Sequence, residues 1–214
     1  MVAKASNCVF HASSVEYLVY VVSSDGLKMD SSKVHKIINW PQPKNIKALQ
    51  SFLGFSNFYC CFIENYSKKV TALTSLLKKY FSFIFNEEAL VQFQTLKEAF
   101  TTAPILSHFN PSLPTSLETD SSYYALGAVL SQVNDSGKHP IKFDSCKLLP
   151  AALNYGINYK ALPGIVWAFL LSLSNPFEVL TDHIYLQYFM SSRALTHCQA
   201  GWPLYQMPCH IRAM

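Results

Sequence analysis

The sequence predicts an α+β protein: a helical segment followed by a mixed sheet with helices packed on it. Three observations carry that expectation. Apolar residues recur at helical spacing between residues 31 and 103, and beyond Pro104 they give way to short β-branched runs divided by turn residues. Half of the 214 residues are hydrophobic while only 14% are charged, against a usual soluble share of about 25%. Such a composition excludes global disorder, and a chain of this length holds one or two domains at roughly 150 residues each.

The elements follow in order. Val15 to Val22 is rich in β-branched and aromatic residues and runs into Ser23-Ser24-Asp25-Gly26, a strand that enters a turn and needs a partner. Ser31 or Ser32 is placed to cap a helix carrying Val34, Ile37 and Ile38, which Pro41 and Pro43 stop. Asn45 caps a second helix with Ile46, Leu49, Leu53 and Phe58 along one side. A third starts at Ser67, with Val70, Leu73, Leu76 and Leu77 inward and lysines outward. Asn86-Glu87-Glu88 opens a fourth, in which Leu90, Phe93, Leu96 and Phe100 keep helical spacing up to Pro104. Residues 31–103 therefore read as helical throughout.

Three strands come next, Thr115 to Asp120, Ala125 to Gln132 and Pro140 to Phe143, with Asn134-Asp135-Ser136-Gly137 as one of the turns between them. Ala151 to Leu173 reads as a helix interrupted at Pro163-Gly164, Glu178 to Asp182 as a further strand, and Tyr185 to Ser191 as a short helix. An antiparallel meander followed by α/β alternation implies a mixed sheet.

Composition narrows the function classes. The longest apolar run, Ile165 to Leu171, is far short of the ~20 residues that cross a bilayer, and Met1 to Phe10 lacks the apolar block of a secretory signal. The expected setting is intracellular, cytoplasm or nucleus, with no membrane partner. Six cysteines form no C-x-x-C pair, and Cys60 and Cys61 are adjacent, which suits reduced thiols. His197-Cys198 and Cys209-His210 do not make a zinc site, because neighbours in a helix or strand point in different directions.

Charge is uneven. Residues 28–79 hold nine lysines (28, 33, 36, 44, 47, 68, 69, 78 and 79) against two carboxylates, Asp30 and Glu64. A basic segment of this kind fits a phosphate backbone, or else a solvated face that keeps an apolar protein soluble. Arg193 and Arg212 are the only arginines, so bidentate phosphate or guanine contacts are nearly absent and binding would be weak and salt-sensitive.

A set of short motifs then occurs in one fixed order: Tyr17-Leu18, Asp25-Gly26-Leu27-Lys28, Trp40-Pro41-Gln42-Pro43, Phe52-Leu53-Gly54-Phe55 with Asn57-Phe58-Tyr59, Ala103-Pro104-Ile105-Leu106, Glu118-Thr119-Asp120-Ser121 and Leu180-Thr181-Asp182-His183. In that order the chain resembles the Pol polyprotein of gypsy-type LTR retrotransposons over nearly its whole length. The resemblance implies that residues 1–30 are a remnant of the reverse-transcriptase palm, 31–103 its helical thumb and connection, and 104–214 a partial, truncated ribonuclease H-like domain. It also implies a nucleic-acid partner such as an RNA/DNA hybrid, met through Lys33, Lys36, Lys44, Lys47, Lys68, Lys69, Lys78 and Lys79.

The same resemblance bears on chemistry. Polymerase activity needs a pair of adjacent aspartates, which in such a polyprotein would lie before Met1, and no Asp-Asp pair is present here. Ribonuclease H chemistry uses two divalent ions, ancestrally magnesium, ~4 Å apart between converging carboxylates. Asp120 matches the family's first-strand aspartate and Asp182 its later-strand aspartate, so both are vestigial catalytic and metal-binding residues. Ala161 stands where the family has a glutamate, Pro163-Gly164 breaks the helix that would carry it, and the family's last carboxylate would fall beyond Met214. Cys60, Cys61, Cys146 and Gly201 occupy positions where arginines are usual. The expected protein is thus a catalytically inactive fragment with weak nucleic-acid binding. Two other readings stay open: a retained protein-interaction module whose partner covers exposed apolar surface, and residual magnesium-dependent cleavage of RNA–DNA hybrids.

Overall fold

The structure, a computed structural model, describes residues 10–17, 19–79, 82–122, 125–148, 177–181 and 209–213. Its first element is a three-stranded antiparallel sheet of β1 (Ser14–Tyr17), β2 (Tyr20–Ser23) and β3 (Gly26–Met29). The run expected to form one strand over Val15 to Val22 is folded back on itself, so that Val15 pairs with Val22 and Tyr17 with Tyr20. A lone strand would leave its ladder groups unpaired, and the reversal supplies a partner from within the run.

The turn at Ser24-Asp25 closes the β2–β3 hairpin onto Gly26, whose φ of +134° favours glycine. The next residue is held across the chain: Leu27 N donates to Leu106 O at 2.7 Å and Leu106 N to Leu27 O at 2.9 Å. A Cβ on Gly26 would overlap that Leu106 carbonyl. The hairpin and the segment around Leu106 are therefore pinned together beside a residue with no side chain.

Among the described residues, five α-helices and one turn of 3-10 helix follow. Asp30, not Ser31 or Ser32, caps α1 (Ser31–Ile38), accepting from Ser32 N and Ser32 Oγ at 2.8 Å each. Those bonds hold its carboxyl below the usual range, and both serines lie inside the first turn, where Ser32 donates instead. Asn45 caps α2 (Ile46–Phe58) as expected, accepting from Ala48 N at 2.8 Å. The buried stripe of α2 is Leu49, Phe52, Leu53 and Ser56. Ile46, in the first turn, and Ile38 at the end of α1 are exposed, as is Phe58, which stacks on Tyr20 with centroids 5.6 Å apart.

The single helix expected from Ser67 is two short ones, α3 (Tyr66–Lys69) and α4 (Thr71–Ser75), broken at Val70. Hydroxyls compete with the helical ladder here: Thr71 Oγ1 donates to Ser67 O at 3.0 Å, and Ser75 Oγ to Thr71 O at 2.9 Å. Its inward residues Val70, Leu73 and Leu76 are buried as expected. Residues 40–44 and 82–86 are not helical either, so helix does not run throughout 31–103. Asn86 caps α5 (Glu87–Thr101), which buries Ala89, Phe93, Leu96 and Phe100 and leaves Leu90 exposed. The helices share one core, with Phe52 against Phe93 at 4.6 Å and Trp40 edge-on to Phe52 at 5.7 Å.

The second sheet has five strands in the order β6-β5-β4-β7-β8. Its members are β4 (Thr115–Ser121), β5 (Ala125–Asn134), β6 (Gly137–Lys147), β7 (Phe177–Thr181) and β8 (Cys209–Ala213). Pairs β4–β7 and β7–β8 are parallel and the others antiparallel, which makes the mixed sheet the sequence predicts. β6 is far longer than Pro140 to Phe143, because the turn through Asp135 and Ser136 sets a register from Asn134↔Gly137 to Ala125↔Lys147. Pro140 is tolerated at the bulge between Leu130 and Ser131. β8 carries no sequence signal beyond a single β-branched residue, Ile211, and was not expected. The helices expected over Ala151 to Leu173 and Tyr185 to Ser191 lie outside the described residues. Among the described residues no helix is long and apolar enough to cross a membrane.

The contact at Gly26 can be weighed against a glycine that has none. Gly137 also has a positive φ, +121°, but open space where a Cβ would stand. Gly137→Ala should cost about 1 kcal/mol of backbone strain, and Gly26→Ala should cost at least ~2 kcal/mol because strain and overlap combine. Urea denaturation of both variants checks the order. Equal losses would mean that the Leu27–Leu106 crossing adds no constraint.

Candidate nucleic-acid interface

Asp120 sits near the end of β4, the middle strand of the five, and is exposed. The register places it opposite Gly127 of β5, which in turn is opposite Ser145 of β6. Residues paired across strands point to one face, so Asp120, Gly127 and Ser145 form a row. On that face Val129 and Phe143 pack against the helical core. The β4–β7 register ends at Thr119↔Thr181; Asp182, one residue further on, lies outside the described residues, as does Ala161.

Glu118, two residues before Asp120 on the same side of β4, is ion-paired with Lys138 of β6. It is therefore not a free ligand. Among the described residues no group of three or more His, Cys, Asp or Glu side chains could hold a metal ion. Among the described residues Asp120 is a lone carboxylate there, which does not by itself fit a pair of divalent ions.

The helix face toward Asp120 is seated by small groups. Asn65, with φ +53°, precedes α3 and lies over Gly127, where its Cγ is 3.1 Å from the position of a Cβ. Ser67 N donates to Ser145 Oγ at 2.9 Å, and Ser145 Oγ donates to Ser67 Oγ at 3.1 Å. Lys147 Nζ reaches Thr74 Oγ1 at 3.5 Å.

The lysines are dispersed. Lys33 and Lys36 lie on α1, and Lys78 and Lys79 follow α4. Lys44 and Lys47, both exposed, flank the Asn45 cap of α2 and line a hollow of about 460 Å³ with Ile46 and Phe83. There the positive end of a 13-residue helix adds to two ammonium groups. Lys68 is exposed on α3, whereas Lys69 is half-buried and donates to Glu64 O at 2.9 Å. Lys97, which the sequence did not single out, is drawn inward: it donates to Trp40 O at 2.6 Å and lies 4.7 Å from the Phe93 ring centroid. Three further lysines lie on β6, at 138, 142 and 147, the first two beside the carboxylates of Glu118 and Asp144. Their signal was diluted by neighbouring acids in sequence, Asp135 and Asp144.

Three thiols of the described residues differ from one another. Cys60 and Cys61 are half-buried in the 3-10 turn Cys60–Phe62, and burial pushes both thiols up. Neighbouring Tyr20 and Tyr59 are pushed up to about 12, chiefly by burial. Cys146 is exposed.

Residues 85–171 match the family model described as the RNase H-like domain found in reverse transcriptase. The Tf2-3 and Tf2-4 transposon polyproteins of Schizosaccharomyces pombe are each 35% identical to this chain in a 190-residue alignment that covers 86% of it. The chain belongs to the retrotransposon reverse transcriptase/ribonuclease H polyprotein family. It spans 14% of the length of those polyproteins. In fold, this retrotransposon segment matches a foamy viral protease-reverse transcriptase in complex with RNA/DNA hybrid, at a TM-score of 0.74 and 22% identity, over 94% of this chain and 29% of that one. A foamy viral protease-reverse transcriptase in complex with dsDNA gives 0.75 and 21% over 95% and 45%. The gypsy-type resemblance and the α+β fold are both borne out.

Thiol reactivity follows from the geometry. With iodoacetamide at pH 8, Cys146 should be alkylated several-fold faster than Cys60 or Cys61, because burial lowers the thiolate fraction of the last two. Peptide mapping over time reads the rates. Faster labelling at Cys60 or Cys61 would show the 3-10 turn to be open in solution.

Proposed function

We propose that this retrotransposon segment binds nucleic acid weakly and without sequence preference, and that it has no nuclease activity of its own. In this reading residues 1–30 are a palm remnant, 31–103 the thumb and connection, and 104–214 a partial ribonuclease H-like domain. The observation that carries it is the placing of exposed Lys44 and Lys47 around the N-terminus of α2. Ammonium groups and unpaired amides there suit a phosphodiester oxygen. The RNA/DNA hybrid and the dsDNA of the foamy viral structures make duplexes the first ligands to test.

Inactivity rests on the ligand set. Asp120 supplies one carboxylate and Asp182 a second in sequence, while Ala161 replaces the third. Two-ion catalysis of phosphodiester cleavage needs several carboxylates between which magnesium ions bridge the entering and leaving oxygens. Asp120 and Asp182 are on this reading vestigial ligands that do not bind magnesium productively.

Two measurements test the two halves. Fluorescence anisotropy with a labelled RNA/DNA hybrid should give a log affinity that falls with log salt by about 0.9 per neutralised phosphate. Lys44→Glu with Lys47→Glu should flatten that slope by roughly two such increments. An unchanged slope would remove the α2 terminus from the interface. Separately, the intact chain with magnesium or manganese should leave the hybrid uncut, and Ala161→Glu alone should not restore cleavage. Cleavage that Asp120→Asn abolishes would establish the residual ribonuclease instead.

A further inference from the structure

We propose that Asn65 and Ser67 are positioning residues: they seat the first turn of α3 on Gly127 and Ser145, and so hold Lys68 at a fixed distance from Asp120. The proposal deepens the nucleic-acid reading and rests on it for its function, but the seat itself can be measured without any ligand.

Three features meet in one row of the sheet. Asp120, Gly127 and Ser145 are cross-strand partners on consecutive strands, so Ser145 stands two strand spacings, ~10 Å, from Asp120. The middle member has no side chain, and the space above it is filled by Asn65, whose Oδ1 a methyl group on Gly127 would overlap. Asn65 is itself in the left-handed region at φ +53°, a conformation that asparagine tolerates better than most residues. The outer member, Ser145, takes the Ser67 amide at 2.9 Å and gives its own proton to the Ser67 hydroxyl at 3.1 Å.

The next residue in the chain is Lys68. Its backbone therefore inherits its position from two hydrogen bonds made by Ser67, one residue before it, and one close packing contact made by Asn65, three residues before it. Lys69, which follows, is tied back to Glu64 O. A phosphate held by Lys68 is thus held in register with the strand end at Asp120. With the seat broken, both charged groups persist but their separation is no longer set.

Pulsed dipolar EPR on the full chain tests this, with nitroxide amino acids incorporated at positions 68 and 120 so that the native thiols stay unlabelled. A single narrow distance distribution is expected in the parent. It should at least double in width in Gly127→Ala, with a smaller broadening in Ser67→Ala combined with Ser145→Ala. Far-UV circular dichroism establishes that each variant is folded; if Gly127→Ala is not, the paired serine variant decides. A broad parent distribution, or an unchanged width in the folded variants, overturns the seat. Anisotropy with the RNA/DNA hybrid on unlabelled chains separates the two layers. Seat variants that bind several-fold more weakly than the parent support the positioning role, and variants that bind equally well overturn it. A parent with a narrow distribution and no affinity for the hybrid leaves the seat standing while refuting both the nucleic-acid reading and the role built on it.

Discussion

The close approach of α3 to the β5–β6 pair organises much else in this protein. Gly127 has no side chain, so Asn65 reaches the sheet backbone, and Ser67 then falls within hydrogen-bonding distance of Ser145. Val129 and Phe143, on the same sheet face, join the core that Phe52, Leu73 and Phe93 build between the helices. The helical segment and the sheet therefore share apolar surface. Burial of that kind is worth roughly 25 cal/mol per Å², and it depends on a contact distance that any larger residue at 127 would increase.

A second crossing works in the same way at the other end of the helices. Leu27 and Leu106 exchange two hydrogen bonds beside Gly26, and Ser107 N donates to Pro140 O at 2.9 Å. The segment leaving α5 is thereby stitched first to the β2–β3 hairpin and then to β6. His108 Nε2 lies 2.7 Å from Ser23 O and adds a third tie between hairpin and linker. Backbone groups make most of these ties, so they tolerate side-chain change but not added bulk at the two glycines.

The candidate interface has a different character, because its lysines are divided between open surface and internal bonds. Lys44, Lys47 and Lys68 are exposed, and exposed ammonium groups bind phosphate through a long-range field that salt screens. Lys69 and Lys97, by contrast, have been taken into the structure as hydrogen-bond donors to backbone carbonyls. The basic stretch is thus partly a surface and partly scaffolding. Cys60 and Cys61, half-buried in the 3-10 turn, belong to the scaffolding part.

Much of the fold was legible in the residues alone. Asn45 and Asn86 announce helix starts because a short polar side chain before an apolar repeat can take an orphan amide, and both do so here. Alternation and turn residues gave the meander of β4, β5 and β6 and its mixed continuation. The motif order gave the family, and Asp120 was located at a strand end. Tertiary structure decided what depends on partners distant in sequence. The reversal inside Val15 to Val22, the break at Val70, the strand at Cys209–Ala213 and the inward turn of Lys97 all answer to groups that no local window contains. The row that joins Asp120 to the seat of Lys68 belongs to the same class: cross-strand register and the empty space at Gly127 exist only once three strands and a helix have met, whereas periodicity and capping act within a few residues along the chain.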